Sequence, residues 1–114
     1  MPNYMMLLYA PEVDSPEERA RRDAELPVWY ELLDSLRDEG LLVGNGRLHN
    51  VDAATTLRIR DGETAISDGP FAVTKEILGG YFILDCRDLD HALQQAARIP
   101  VALYGSVEVR PIAT

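Results

Sequence analysis

A chain of 114 residues that sets eleven Lys plus Arg against nineteen Asp plus Glu, for a net charge of −8, is long enough for one domain with its own core. It is too anionic to bind a phosphate backbone unless its few cations gather on one face. Arg19, Arg21 and Arg22 do cluster, but Glu17, Glu18, Asp23 and Glu25 surround them, so direct nucleic-acid binding is disfavoured. With 46% hydrophobic and 26% charged residues, the composition is that of a soluble globular protein, read as a single domain over 1–114. No apolar run approaches the roughly 20 residues a spanning helix needs, which argues against membrane insertion. The N-terminal run through Tyr9 lacks a basic leader and a small-residue cleavage site, and the lone Cys86 cannot form an internal disulfide; both point to a cytoplasmic, reducing location.

In chain order, Tyr4 to Tyr9 reads as a first strand that is apolar on both alternating faces. Ser15-Pro16-Glu17-Glu18 is a helix start, with Ser15 as N-cap, proline in the first turn and Glu18 placed to close a capping box. Trp29, Leu32, Leu33 and Leu36 recur on one helical face and Gly40 is the expected C-cap, while Pro27 predicts a short first piece to about Glu25 and then a kink or restart. Leu41-Leu42-Val43 begins a second strand, and Gly44-Asn45-Gly46 predicts a bulge or a close backbone approach. Thr55 to Arg60 alternates cleanly, and Asp61-Gly62 is a type I′ hairpin signal into Glu63 to Ser67. Gly80 to Asp85 forms a second strand that is apolar on both faces. Asp88 caps a second helix whose expected buried stripe is Leu89, Ala92, Leu93, Ala96 and Ala97, stopped by Pro100. Ser106 to Arg110 is the last strand.

The order β, α, β, hairpin, β, α, β is that of an α+β fold, a ferredoxin-like antiparallel sheet with two helices on one face and an inserted hairpin. Two helices cover only one sheet face. The two strands that are apolar on both sides therefore predict a homodimer with sheets packed face to face, as a dimeric α/β barrel.

Between the hairpin and the next strand lies Asp68-Gly69-Pro70-Phe71-Ala72-Val73-Thr74-Lys75-Glu76-Ile77-Leu78-Gly79-Gly80-Tyr81. This stretch resembles the signature of the YCII-related family, in the branch named after its Asp-Gly-Pro-Phe tetrapeptide. Met5 to Tyr9, Asp38-Glu39-Gly40, Asp88 to Leu93 and Gly105 to Pro111 look like the family's opening strand, first helix end, second helix and closing strand. The resemblance implies dimers of ferredoxin-like subunits. It also implies that some members use a His-Asp pair, with Asp68 as the candidate acid here. The helix position where the histidine often stands holds Trp29, with Tyr30 beside it, so that pair is not carried over. Val73 replaces the usual glutamate and removes one carboxylate from the signature.

Read as residues, Asp68 before Gly-Pro is either an Asx-turn staple or a reactive carboxylate. Lys75 and Glu76 point to opposite sides of extended chain, so that one can face a cavity; a lysine there can hold an anion or act as a base. Asp68 and Lys75 are the candidate catalytic residues. Trp29, Tyr30, His49, Phe71, Glu76 and Tyr81 are the candidate ligand contacts, with Tyr9 and Tyr104 as further aromatics at strand ends. His91, in the first turn of a capped helix, reads as solvated, and Cys86 as a small buried residue. No spacing of His, Cys, Asp and Glu matches a metal motif and no glycine loop precedes a helix, so neither a metal nor a nucleotide cofactor is expected. Two functions stay open. One is a cofactor-independent small-molecule enzyme of lyase or isomerase type, or a ligand-binding protein, with its pocket near Asp68. The other, implied by the resemblance, is a noncatalytic regulatory or accessory module associated with an extracytoplasmic-function sigma factor.

Overall fold

Period-2 alternation in the first strand and in the strand after the signature stretch divides their side chains between two faces, and that division organises the molecule. The computed structural model describes residues 2–114. Its elements are β1 (Asn3–Pro11), α1 (Pro16–Asp38), β2 (Leu42–Arg47), β3 (Thr55–Arg60), β4 (Glu63–Asp68), β5 (Glu76–Asp85), α2 (Leu89–Ala96) and β6 (Ser106–Pro111), with short 3₁₀ turns at Val51–Ala53 and Pro100–Leu103. The main sheet is antiparallel with order β2-β5-β1-β6, the ferredoxin-like arrangement, and β3-β4 form a separate two-stranded ribbon.

Tyr4, Met6 and Leu8 of β1 and Phe82 and Leu84 of β5 face both helices, and with Leu32 and Leu36 of α1 and Ala92 and Ala96 of α2 they make the core. Met6, Leu36 and Leu84 are fully buried, each worth about 1.5–3 kcal/mol in apolar transfer. Met5, Leu7 and Tyr9, with Tyr81 and Ile83, lie on the face that carries no helix and are partly buried by one another.

Gly105 explains how β6 enters. A Cβ there would lie 2.1 Å from the Tyr9 carbonyl oxygen, so any larger residue would push the strands apart. At Gly46 the neighbour is the Tyr81 ring, 2.5 Å from a built Cβ, which is the close approach expected of that glycine pair; the expected bulge is also present, between Leu42 and Gly44. A second register shift falls between Leu8 and Tyr9, opposite Gly79-Gly80.

Helix ends follow the sequence in part. Ser15 Oγ accepts from the Glu18 N–H at 3.1 Å, but the Glu18 carboxylate turns to Arg21 and Arg22, so the capping box is only half made. Gly40, at φ 75°, ends α1 in a Schellman motif: its N–H reaches Arg37 O and that of Leu41 reaches Leu36 O, both at 3.0 Å. The expected end near Glu25 and restart at Pro27 are corrected: α1 is continuous over 23 residues, with Pro27 inside it. Pro27 is exposed, so its ring meets solvent, and the lost backbone bond is offset by a side-chain bridge across it from Glu25 to Trp29.

α2 needs a second correction. Its buried residues are His91, Ala92, Gln95 and Ala96, while Leu89 and Leu93 are about half exposed. Ala92 and Ala96 let the helix sit close on the sheet, and His91, only 7% exposed and not solvated, turns inward to accept from the Arg87 N–H through Nδ1 at 3.1 Å.

The ribbon β3-β4 turns at Asp61 and Gly62, φ 53° and 78°, the type I′ geometry expected of Asp-Gly. It stands away from the rest as an arm. The radius of gyration is 16.0 Å, against roughly 13 Å for a compact chain of this length.

Candidate functional site

Only the C-terminal half of α1 is packed down, since Leu32 and Leu36 are its buried residues. The N-terminal half bridges over the end of the sheet and leaves a hollow of about 350 Å³ beneath it. Trp29 and Leu33 from α1 and Leu8, Leu78 and Phe82 from the strands give it an apolar floor, with Trp29 set edge-on to Phe82 at 6.2 Å. Residues 45–50, at the end of β2 and just beyond, form one side. The volume suits a small molecule.

Glu25 stands in the wall of this hollow with its Oε1 held twice. Trp29 Nε1–H donates to it at 2.8 Å and the Tyr104 hydroxyl at 2.6 Å. The Trp29 bond follows from helical i, i+4 spacing; Tyr104 arrives from the 3₁₀ turn before β6. Burial, and then the hydrogen bond to Glu25, push the Tyr104 phenol up to about 12, so it remains a proton donor to the carboxylate. Glu25 Oε2 makes no hydrogen bond among the described residues. One carboxylate oxygen is thus clamped by two donors while the other is left for whatever enters.

Around it the charge reverses. Arg22 lies over the Tyr104 ring, 4.6 Å from its centroid, and is anchored by Glu18 and by the Pro11 carbonyl at 3.0 Å. The two neighbouring guanidiniums hold the Glu18 carboxyl below the usual range. Arg19 and Arg47 join His49 and Asn50 around a further recess at the mouth, of about 400 Å³.

The residues expected at the site are divided by the fold. Trp29, Tyr30 and His49 line the hollow, with Tyr30 and His49 at its exposed rim. Asp68, Phe71 and Lys75 do not: they sit at the base of the arm, exposed. The loop there is stapled by Thr56 Oγ1 donating to Gly69 O at 2.8 Å and by the Gly69 N–H donating to Ala54 O at 2.7 Å, not by the Asp68 side chain as an Asx-turn would have it. Glu76 accepts from Ser106 Oγ at 2.7 Å, and Tyr81 lies on the helix-free sheet face against Gly46. Within one chain, the hollow under α1 is thus lined without Asp68, Phe71 or Lys75. Glu25, Arg19, Arg22 and Arg47 were not singled out from sequence. The signal for Glu25 and Arg22 was present, because they fall four and seven residues before Trp29 on the same helical face.

Burial pushes the Cys86 thiol up, in keeping with a small core residue. Among the described residues no group of three or more His, Cys, Asp and Glu could hold a metal ion, and no helix is long and apolar enough to cross a membrane.

Comparison with known families settles the ancestry. The YCII-related domain matches residues 3–114, from the first strand through the last. The chain belongs to the YCII-related family. A curated relative, an uncharacterized protein of Rhizobium meliloti (strain 1021), is 47% identical over 78 residues, covering 67% of this chain and 63% of the relative. The chain thus spans less than two thirds of that relative's length. Both the hollow under α1 and the arm fall within the YCII-related match.

Proposed function

We propose that this YCII-related protein, of the branch named for the tetrapeptide at Asp68-Gly69-Pro70-Phe71, is a homodimer that binds a small molecule in the hollow under α1 and performs acid–base chemistry on it with Glu25. The observation that carries the reading is the carboxylate itself, fixed through Oε1 by Trp29 and Tyr104 in the wall of an apolar-floored hollow, with no hydrogen bond to Oε2 among the described residues. In this chemistry Oε2 takes a proton from a carbon beside a carbonyl, and the C–H electron pair moves into the carbonyl as an enolate. The resulting acid returns the proton to another carbon, an isomerisation, or to an oxygen leaving group as its bond to carbon breaks, an elimination. Neither course calls for an oxidant.

The homodimer is supported by the arm and by the helix-free sheet face. Leu57, Ile59 and Ile66 are exposed along the ribbon, Phe71 is 79% exposed and Val73 95%. A two-stranded ribbon with a bare apolar stripe is marginal by itself and gains by lying on a second copy. In the dimer, Asp68 and Lys75 would reach a ligand only where one copy's arm closes on the other's hollow.

A thermal-shift screen of a metabolite library against the wild-type dimer tests this. Expected are one or more stabilising compounds, turned over by the wild type and at least a hundredfold more slowly by Glu25→Gln. No stabilising compound, together with co-purification of a sigma factor, would replace the reading with a regulatory one.

A further inference from the structure

The charges of the hollow run against those of the chain. Nineteen carboxylates and eleven cations make the protein strongly anionic, yet the lining takes Arg19, Arg22 and Arg47 and only one acid, Glu25. Elsewhere the cations that face carboxylates do so on the surface: Arg21 with Glu18, Arg37 with Asp34, Arg98 with Glu39, Arg110 with Glu108. Arg22 is committed to Glu18. Arg19 and Arg47 have no carboxylate partner among the described residues, as is also true of Arg58, Arg60, Lys75 and Arg87; what sets these two apart is their place in the lining. They come from opposite sides, one from the first turns of α1 and the other from the end of β2, and meet on the same recess. His49 and Asn50 supply further polar groups there, and the recess opens onto the apolar floor around Trp29.

We infer that the ligand is an organic oxyanion, a carboxylate or phosphate ester, whose charged end is held by Arg19 and Arg47 at the mouth and whose apolar body lies against Trp29. Guanidinium forks match the geometry of both oxyanions, and a protein this acidic repels anions everywhere the local charge is not reversed. The inference rests on the reading of the hollow as the binding site and adds the ligand's charge. It also assigns the two arginines different work from Glu25: they hold the ligand and exchange no proton.

Trp29 is the chain's single tryptophan, so fluorescence excited at the red edge, where the five tyrosines do not absorb, reports on this hollow. Titrating the full-length protein at low salt with benzoate, phenyl phosphate, benzyl alcohol and benzylamine gives matched anionic, neutral and cationic probes. The inference expects benzoate, phenyl phosphate or both to perturb Trp29 fluorescence at concentrations at least tenfold below benzyl alcohol and benzylamine, and which anion binds more tightly names the head group. Arg19→Gln and Arg47→Gln should each weaken the anions about 10-fold or more and leave benzyl alcohol unchanged, since a hydrogen bond to a charged group is worth about 1.5–3 kcal/mol. Arg37→Gln, on a surface pair outside the hollow, should change nothing. Both hollow variants replace side chains at the rim, and an unchanged melting temperature verifies their fold. If benzyl alcohol binds as tightly as the anions, or if neither arginine variant weakens them, the oxyanion assignment is overturned while the hollow stands as the site. If no probe perturbs Trp29, both fall.

Discussion

The hollow under α1 and the arm built from β3 and β4 are opposites. The arm carries the most specific sequence signature, Asp68 to Phe71, and almost no internal packing; its strand residues are nearly all exposed. The hollow takes only the Ile77-Leu78-Gly79-Gly80 end of the signature stretch, but two of its charged side chains are held by several partners each, Glu25 by two donors and Arg22 by a carboxylate, a carbonyl and a ring. Preorganised groups are what acid–base work on a bound molecule requires. A motif can equally mark a turn or a contact with another chain. The difference teaches that a sequence motif and a pocket of held side chains need not coincide within one subunit; in the proposed dimer, the arm's part in function would pass through a second copy.

The largest expected contrast is in stability. Leu36→Ala, in the fully buried core beside the hollow, should cost about 2–5 kcal/mol in urea unfolding. Ile59→Ala on the arm should cost under about 0.5 kcal/mol at a protein concentration where the chain is monomeric. An arm penalty that grows with protein concentration sharpens the comparison, because it places the stripe against a partner. One as large as that of Leu36→Ala in the monomer breaks it.

Next is the Glu25 clamp. Glu25→Ala leaves the Trp29 and Tyr104 donors without their acceptor and should destabilise by about 1–3 kcal/mol, read from the same unfolding curves. Asp68→Asn, with no side-chain hydrogen bond to lose among the described residues, should be neutral within about 0.5 kcal/mol.

Tyr104 gives a smaller effect with a definite pH window. The folded chain holds the phenolic proton more tightly than the unfolded chain, whose value is 10.0, so this contribution to stability is complete below pH 10 and fades as pH climbs toward about 12. Ultraviolet titration of tyrosinate, with melting temperatures across that range, should show a late-ionising phenol in the wild type that is lost in Tyr104→Phe. The variant's melting temperature should then fall less steeply with alkali. The smallest effect is expected at the exposed Arg37–Asp34 pair, where Arg37→Gln should shift stability by under about 0.5 kcal/mol.

Much of the fold was legible in the residues. Alternation in Tyr4 to Tyr9 and Gly80 to Asp85 separated the core face from the outer one, Asp61-Gly62 announced the hairpin, and Ser15, Gly40 and Asp88 marked helix ends. The site was less legible, and Pro27 is the reason. Its missing amide argued for a break, which cut the apolar face of Trp29, Leu32, Leu33 and Leu36 off from the turns before it. With the helix continuous, the same face extends back through Leu26 and Glu25 to Arg22, placing a carboxylate and a guanidinium toward the sheet. Arg47 was hidden differently: only the strand pairing, with Asn45 opposite Phe82 and Arg47 opposite Gly80, shows which face of β2 lines the hollow. In α2 the expected stripe was rotated: Ala92 and Ala96 are buried as read, but His91 and Gln95 join them in place of Leu89, Leu93 and Ala97.

A crystal structure of the protein with a compound that stabilises it would test the central claim most directly. The account predicts the ligand under α1, a polar or acidic C–H position within reach of Glu25 Oε2 and its apolar part on Trp29. A ligand seated instead beside Asp68 and Lys75, with the space under α1 filled only by water, would contradict it.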